Sequence, residues 1–295
     1  MCPLERADGR RRRPTAARLL RGQFLYQLRL LVRTPITLFA TLIVPLMVLL
    51  AVNLLFRGTR VTDHGTVPWA QFFTPAMVAF AVVTCCYAGV ITSTTVSRDA
   101  GILKRLQSTP LPAWIYLGGR VIIAGAVTLL AAVVLVTVGA ALYGFRVIWD
   151  AVPVALLTLA AATFCFCSLG LAVTVLVGRA ESGLPVAWGT MLPVCFISDV
   201  FQPLGSAPKW LLKLSSLLPV RPLADDLERL FNPLVASHSV DWSHLLVITA
   251  CGIAAAVFAL VRFRWEPRRP ASHGADRGHG TLSPHRLREL LDTGK

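Results

Sequence analysis

Apolar positions along this chain come in long unbroken blocks, not at alternate positions or in a stripe of every third and fourth. Blocks at 36–56, 72–96, 121–145 and 151–178 have the length of a membrane span. A helix rising about 1.5 Å per residue needs roughly 20 apolar residues to cross a hydrocarbon core about 30 Å thick. A shorter block at 184–201 carries Asp199 near its end. The last, at 242–261, is flanked by Asp241 and Arg262 and has His244 in its first turn. The four longer blocks of the first five contain no charged residue. This pattern predicts an all-α membrane protein of six transmembrane helices.

The stretches around the blocks predict further elements. Within 16–35, Leu20, Phe24, Leu28 and Leu31 recur at helical spacing, with Arg18, Arg21, Arg29 and Arg33 mainly opposite. That describes an amphipathic helix lying in the membrane interface and leading into "RTPITLF". Residues 1–15 form a basic tail, and 266–295, rich in Pro, Gly and charge, is predicted to be a disordered tail. Five prolines (Pro203, Pro208, Pro219, Pro222 and Pro233) break 202–240 into short pieces, yet Trp210, Leu211, Leu214 and Leu217 are poor loop composition. Short helices dipping back into the outer leaflet suit it, with irregular backbone shielded by protein or lining water. The six-span domain is then 36–265. No removable signal peptide is expected, because the first apolar block starts at residue 36 and no small-residue cleavage pattern follows.

Charge orients the spans. The net charge is +14, and 22 of the 29 basic residues fall in 1–35, 97–120, 178–184 and beyond 261, together with eight of the fifteen acids. The opposite face is balanced. By the positive-inside rule both termini and the 97–112 loop are cytoplasmic. A sequence pI near 10.4 then reflects topology and anionic inner-leaflet lipid, and no nucleic-acid partner is expected. The richness in Arg and Ala points to a GC-rich bacterial genome, and the expected location is the bacterial plasma membrane.

Candidate chemistry is sparse. The chain is 55% hydrophobic and 15% charged. Six of seven cysteines lie in the apolar blocks, without a C-x-x-C or a neighbouring His, and read as small buried hydrophobes. His273, His279 and His285 of the tail read as solvated, so no metal is expected. There is no G-x-x-x-x-G-K-[ST], hence no ATP site in this chain, and proton-relay acids are missing from the blocks. "ADDLE" (Asp225, Asp226, Glu228) superficially resembles the Mg²⁺-pyrophosphate acids of prenyl transferases. It falls on the outer side among Leu223, Leu227 and Leu230 at helical spacing, and reads as a solvated helix face. Mild polarity at Asn53 and Thr92, with the aromatics Phe80, Tyr87 and Phe164, marks a candidate substrate path; hydroxyls in spans otherwise bond backbone carbonyls.

One loop is unlike its surroundings. "SRDAGILKRLQSTPLP", 97–112, sets Ile102, Leu103 and Leu106 beside Lys104 and Arg105, and "STPLP" stops the helix. A short amphipathic helix of this kind docks into a groove on a soluble partner.

This element resembles the one after the second span in ABC-2 type transporter permeases, acid-x-G-T-hydrophobic-x-x-L-x-S/A-T/S-P. Asp99, Gly101, Leu103, Leu106, Ser108, Thr109 and Pro110 match it; Ile102 replaces the common Thr, and Asp99 the more usual Glu. "VRTPITLFATLIVPLMVLLAVNLLF" is similar to the family's first span and "FFTPAMVAFAVV" to the start of its second. "MLPVCFISDVFQPLGSAPKWLLKLSSLLPVRPLADDLERL" is similar to its fifth span and outer re-entrant segment, with Asp199 where Gly is usual. The closest subfamily in character is the drug exporters typified by the daunorubicin/doxorubicin-resistance permease.

The resemblance implies a half-transporter. Two six-span subunits, identical or paralogous, form the pore, and two copies of a separate ABC ATPase bind ATP and Mg²⁺ below. The 97–112 coupling helix would meet the ATPase through Asp99, Gly101, Leu103, Lys104, Arg105, Leu106, Thr109 and Pro110. The 16–35 helix resembles the family's connector helix, with Leu20, Phe24, Leu28 and Arg33 as its contact residues. The implied activity is ATP-driven export of a hydrophobic or amphiphilic compound (drug, antibiotic or lipid), with no cofactor in this chain. Three alternatives stay open: export of a lipid-linked glycan, gradient-driven secondary transport, and membrane prenyl transfer through the Asp225–Glu228 cluster.

Overall fold

The computed structural model describes residues 35–56, 58–61, 67–101, 113–177, 180–198, 200–201, 210, 215–235 and 239–262. The predicted tails, the 16–35 helix up to residue 34, Asp199 and the 102–112 part of the coupling loop lie outside the described residues.

Helix α1 runs Pro35–Leu55, with a proline at its first position, where its fixed φ suits helix entry and no N–H is missed. A two-residue antiparallel hairpin follows, β1 (Arg60–Val61) and β2 (Val67–Pro68), with Val61 opposite Val67. It brings Trp69 onto Phe56, their rings stacked at 4.6 Å, and so ties the end of the first apolar helix to the start of the second.

The second span, Trp69–Asp99, is the centre of the bundle: 78% of its apolar window is buried, against 22% for Trp242–Arg262. It consists of α2 (Trp69–Val82), one wide π turn (Val83–Ala88) and α3 (Gly89–Asp99). A π turn disturbs the regular i→i−4 bonding of the helix. Here the Thr84 hydroxyl donates back to the carbonyls of Phe80 (3.0 Å) and Ala81 (2.9 Å), which keeps them satisfied where no water can reach. The bulged backbone also needs room. A Cβ at Gly170 of the neighbouring helix would stand 2.9 Å from the Tyr87 carbonyl oxygen, so hydrogen is the only side chain that fits without a shift.

Helix α4 (Ala113–Tyr143) ends at Gly144, whose φ of +72° is left-handed, and the Phe145 amide bonds back to the Gly139 carbonyl. This bond back across the helix end satisfies one of the terminal carbonyls that the helix leaves orphaned. A single 3₁₀ turn, Trp149–Ala151, leads into α5 (Val152–Leu176), and α6 (Ala180–Ile197) begins four residues after α5 ends. Helix α7 (Val220–Leu230) is short and amphipathic, with Leu223, Leu227 and Leu230 buried against α2 and α5. Helix α8 (Trp242–Arg262) packs chiefly on α5, where a Cβ at Gly252 would stand 2.9 Å from the Cys165 Cα. Small residues at such crossings let membrane helices approach closely.

Four helices among the described residues are long and apolar enough to cross a membrane: Trp69–Asp99, Gly118–Tyr143, Trp149–Leu176 and Trp242–Arg262. Helix α1, apolar over Thr41–Leu55, and α6, interrupted by Pro185 and Pro193, occupy the positions predicted for the first and fifth spans. Helix α6 starts four residues before the predicted block. Glu181 suits its first turn, where a negative charge meets the positive end of the helix dipole.

Candidate functional site

At the loop end of the second span, Gly101 adopts φ +69°. The Ala100 and Gly101 amides bond back to Val96 and Arg98, closing α3 and turning the chain out into the 102–112 segment. The glycine of the coupling motif is thus the residue that permits a left-handed exit. Asp99 beside it is exposed. The other predicted coupling residues (Leu103, Lys104, Arg105, Leu106, Thr109, Pro110) and the connector residues (Leu20, Phe24, Leu28, Arg33) lie outside the described residues.

The two turns before that exit are gripped from three sides. Arg98 is only 6% exposed, and its Nη1 donates to the Val177 carbonyl oxygen at 2.9 Å, beyond the last turn of α5. Arg120 of α4 donates to the hydroxyl of Ser93 and, at 3.5 Å, to that of Ser97. Gly183 of α6 lies so close to Thr95 that a Cβ there would be 2.5 Å from its hydroxyl oxygen. In the sequence Arg98 and Arg120 count only as loop charge. Arg98 is the penultimate residue of the span, beside Asp99, and nothing local in the sequence marks it as turned inward.

The five candidate path residues are dispersed. Asn53 is buried and its Nδ2 donates to the Leu49 carbonyl at 3.0 Å. Phe80 is buried, edge-on to Phe201 with ring centroids 5.1 Å apart. Thr92 donates to the carbonyls of Ala88 (2.9 Å) and Gly89 (3.2 Å), and half-buried Phe164 lies against Gly252. Half-buried Tyr87 sits in the π turn, its hydroxyl 2.8 Å from that of Thr190 on α6, which is exposed. Tyr87 and Thr190 together place hydroxyls on an open face between the second span and α6, and Thr190 is the partner the sequence did not single out.

A cavity of about 680 Å³ opens between α2, α4, α5 and α7, lined by Pro75, Val133, Trp149, Leu156 and Phe231 among others, with Thr137 its sole hydroxyl. None of the five path residues lines it.

The "ADDLE" acids do not form one solvated face. Asp225 pairs with Arg221 at 3.4 Å and is partly exposed, whereas Asp226 is buried and its Oδ1 lies 2.7 Å from His244 Nδ1 at the start of α8. Burial raises the Asp226 carboxyl above the ordinary carboxylate range, and the bond to His244 opposes that rise. Nearby, Asp241 caps α8: its Oδ1 accepts from the Ser243 amide (3.1 Å) and hydroxyl (2.5 Å), and its Oδ2 from Arg229 (3.0 Å). The Ser243 hydroxyl bond leads in holding Asp241 below the ordinary range. Asp226, Asp241 and His244 bring ligand atoms within 4.8 Å of one another. Both Asp241 oxygens accept from donors, so the group caps α8 and tethers it to α7.

Apolar helices of spanning length around an enclosed second span define a multi-pass membrane protein. The chain belongs to the ABC-2 type transporter family, whose model matches residues 20–227. The match takes in most of the 16–35 stretch, the 97–112 loop and α7 as far as Leu227. A comparison with curated proteins returned no match. Membership makes the chain the membrane component of an ABC exporter, a kind of subunit that associates with an ABC ATPase and typically lacks an ATPase site of its own.

Proposed function

We propose that this chain is one of two six-span permease subunits, identical or paralogous, that export a hydrophobic or amphiphilic compound (drug, antibiotic or lipid) from a bacterial cell. ATP and Mg²⁺ belong to two copies of a separate ABC ATPase subunit. Both termini face the cytoplasm, and 97–112 is the coupling element, meeting the ATPase through the residues from Asp99 to Pro110 with the 16–35 helix beside it. In this reading the chain is similar in character to the drug exporters typified by the daunorubicin-resistance permease.

One observation carries the substrate class: from Trp69 to Ser97 the central span holds no charged residue, and the polarity it offers an open face is that of hydroxyls. A route so lined suits an amphiphile better than an ion or a sugar phosphate, because an unpaired charge in a low-dielectric path is costly. Tyr87, with Thr190 opposite, is the place where such a molecule would first meet a hydroxyl, with Thr92 and Phe164 as later contacts in this reading. Asn53 and Phe80 would reach it once the helices part.

The test is capture of candidate ABC ATPase subunits by the membrane-embedded chain, followed by transport in proteoliposomes, comparing wild type with Leu106→Asp. Expected is an ATPase whose hydrolysis lipophilic compounds stimulate in the wild type, with binding or coupling lost in a variant that still inserts. A wild-type chain that captures no ATPase would sink the reading and favour a gradient-driven transporter.

A further inference from the structure

We infer that Arg98 is a positioning residue that carries displacement of the coupling loop into the junction between α5 and α6. The inference rests on the exporter reading above, and it concerns a side chain inside the bundle rather than the docking surface itself.

Arg98 stands three residues before the left-handed glycine that starts the loop, yet its side chain turns inward and is almost wholly enclosed. A guanidinium taken from water is costly unless its donors are met, and a Met or Leu would pack at less cost. The geometry shows what the charge obtains. Val177 is the C-cap of α5, with extended φ and ψ of −82° and 117°, and its carbonyl is one that the helix cannot satisfy from within. The Arg98 bond fills that vacancy at 2.9 Å and puts a positive charge at the negative end of the α5 dipole. Only two residues separate Val177 from the start of α6 at Ala180, so one bond fixes the loop end of the second span to the junction of two further helices.

The neighbouring contacts make the link stiff. Arg120 holds Ser93 and Ser97, and Gly183 admits Thr95 without a gap. A push on the loop therefore cannot shift α3 alone. It pulls α4 through Arg120 and the α5–α6 junction through Arg98. Of these links, the one from Arg98 ends on a backbone carbonyl, which no substitution at the far end can remove, so Arg98 is the residue to change.

The experiment is hydrogen exchange of backbone amides in the purified complex of the chain with its captured ATPase, with and without ATP trapped by vanadate. It uses wild type, Arg98→Met and Arg98→Lys, and measures transport alongside. In the wild type, trapping should change exchange both at 102–112 and at 174–183. Arg98→Met keeps the apolar stem; it should retain the ATPase and the response at 102–112, lose that at 174–183, and transport roughly tenfold more slowly, as for one charge-assisted hydrogen bond. Arg98→Lys, which still donates to a carbonyl, should recover part of both. If Arg98→Met does not insert, Arg98→Gln is read by the same criteria.

Transport and a 174–183 response in Arg98→Met equal to wild type would overturn the inference and leave the exporter reading intact. So would a wild type that responds at 102–112 but not at 174–183. A wild type that responds at neither removes the exporter reading, and the inference goes with it.

Discussion

Gln71 and Arg146, 75 positions apart, exchange two hydrogen bonds: the Arg146 amide donates to Gln71 Oε1 at 2.9 Å, and Gln71 Nε2 donates to the Arg146 carbonyl at 3.0 Å. The side chain of one residue pairs with the backbone of the other as a neighbouring strand would. The same Nε2 also donates to the Phe231 carbonyl at 2.6 Å. One buried amide thus joins the start of the second span, the turn after α4 and the end of α7.

Replacing Gln71 by Leu should take the side-chain partner from three backbone groups at a position that is itself buried. The expected loss is roughly 1–3 kcal/mol, the cost of leaving buried polar groups unpaired. Thermal unfolding of the purified chain checks it, and a midpoint equal to wild type would show that the bonds do not matter to stability.

Two glycines should respond in opposite directions. Gly252→Ala puts a methyl 2.9 Å from the Cys165 Cα and 3.1 Å from the Phe164 ring, and should cost about 1–3 kcal/mol by overpacking α8 on α5. Gly189→Ala in α6 meets nothing within 4 Å and should gain up to about 1 kcal/mol of helix propensity. Equal melting shifts for the two would contradict the close α5–α8 crossing.

Gly101→Val tests backbone strain alone, since a Cβ there meets nothing within 4 Å while φ is +69°. The expected cost is about 1–2 kcal/mol, with Gly101→Asn milder because Asn tolerates the left-handed region. Proteolysis at the 102–112 loop, compared across wild type, Asn and Val, reads the effect; identical cleavage rates would argue that the exit is not left-handed.

Asp226 and Asp241 should give opposite pH dependences. Asp241 is held below its ordinary value of 3.8, so its contribution is complete above that value and is lost as pH falls through the lower folded value. Asp226 is raised, so the folded chain holds its proton more tightly and stability from this group falls as pH climbs through the raised value. The melting difference between wild type and Asp241→Asn should therefore shrink on acidification below about pH 4. With Asp226→Asn, the decline over the carboxylate range should flatten. A difference for Asp241→Asn that grows in acid would reverse the assignment.

The spans were legible because length and hydropathy are properties of the chain itself. The block at 72–96 marks the second span to within three residues at either end, and 242–261 marks α8 to within one. What escaped depends on partners far away in sequence. Gln71 lies one residue before an apolar block and gives no local sign of its links to Arg146 and Phe231. Asp226 looked solvated because its helix is amphipathic, but the residue that covers it is His244, eighteen positions on. The π turn follows from Gly170 and Thr84 acting together, which no periodicity displays. In the site, the motif glycine at 101 was found from sequence and its reason from φ; Arg98 was seen only as one charge among 22.

The widened turn at Val83–Ala88 has a mechanical meaning of its own. It gives the second span one residue more than a regular helix of equal length would hold. That surplus is slack in an otherwise taut rod. Successive residues of an α-helix are set about 100° apart around its axis. Tightening the turn would therefore swivel Gly89–Asp99, and the loop beyond it, by about that angle against Trp69–Val82, with neither half unwound. Tyr87 would leave Thr190, and the links from Arg120 and Arg98 would draw α4 and the end of α5 along with the turning half. A span built with this spare residue lets one end of the bundle turn while the other stays seated.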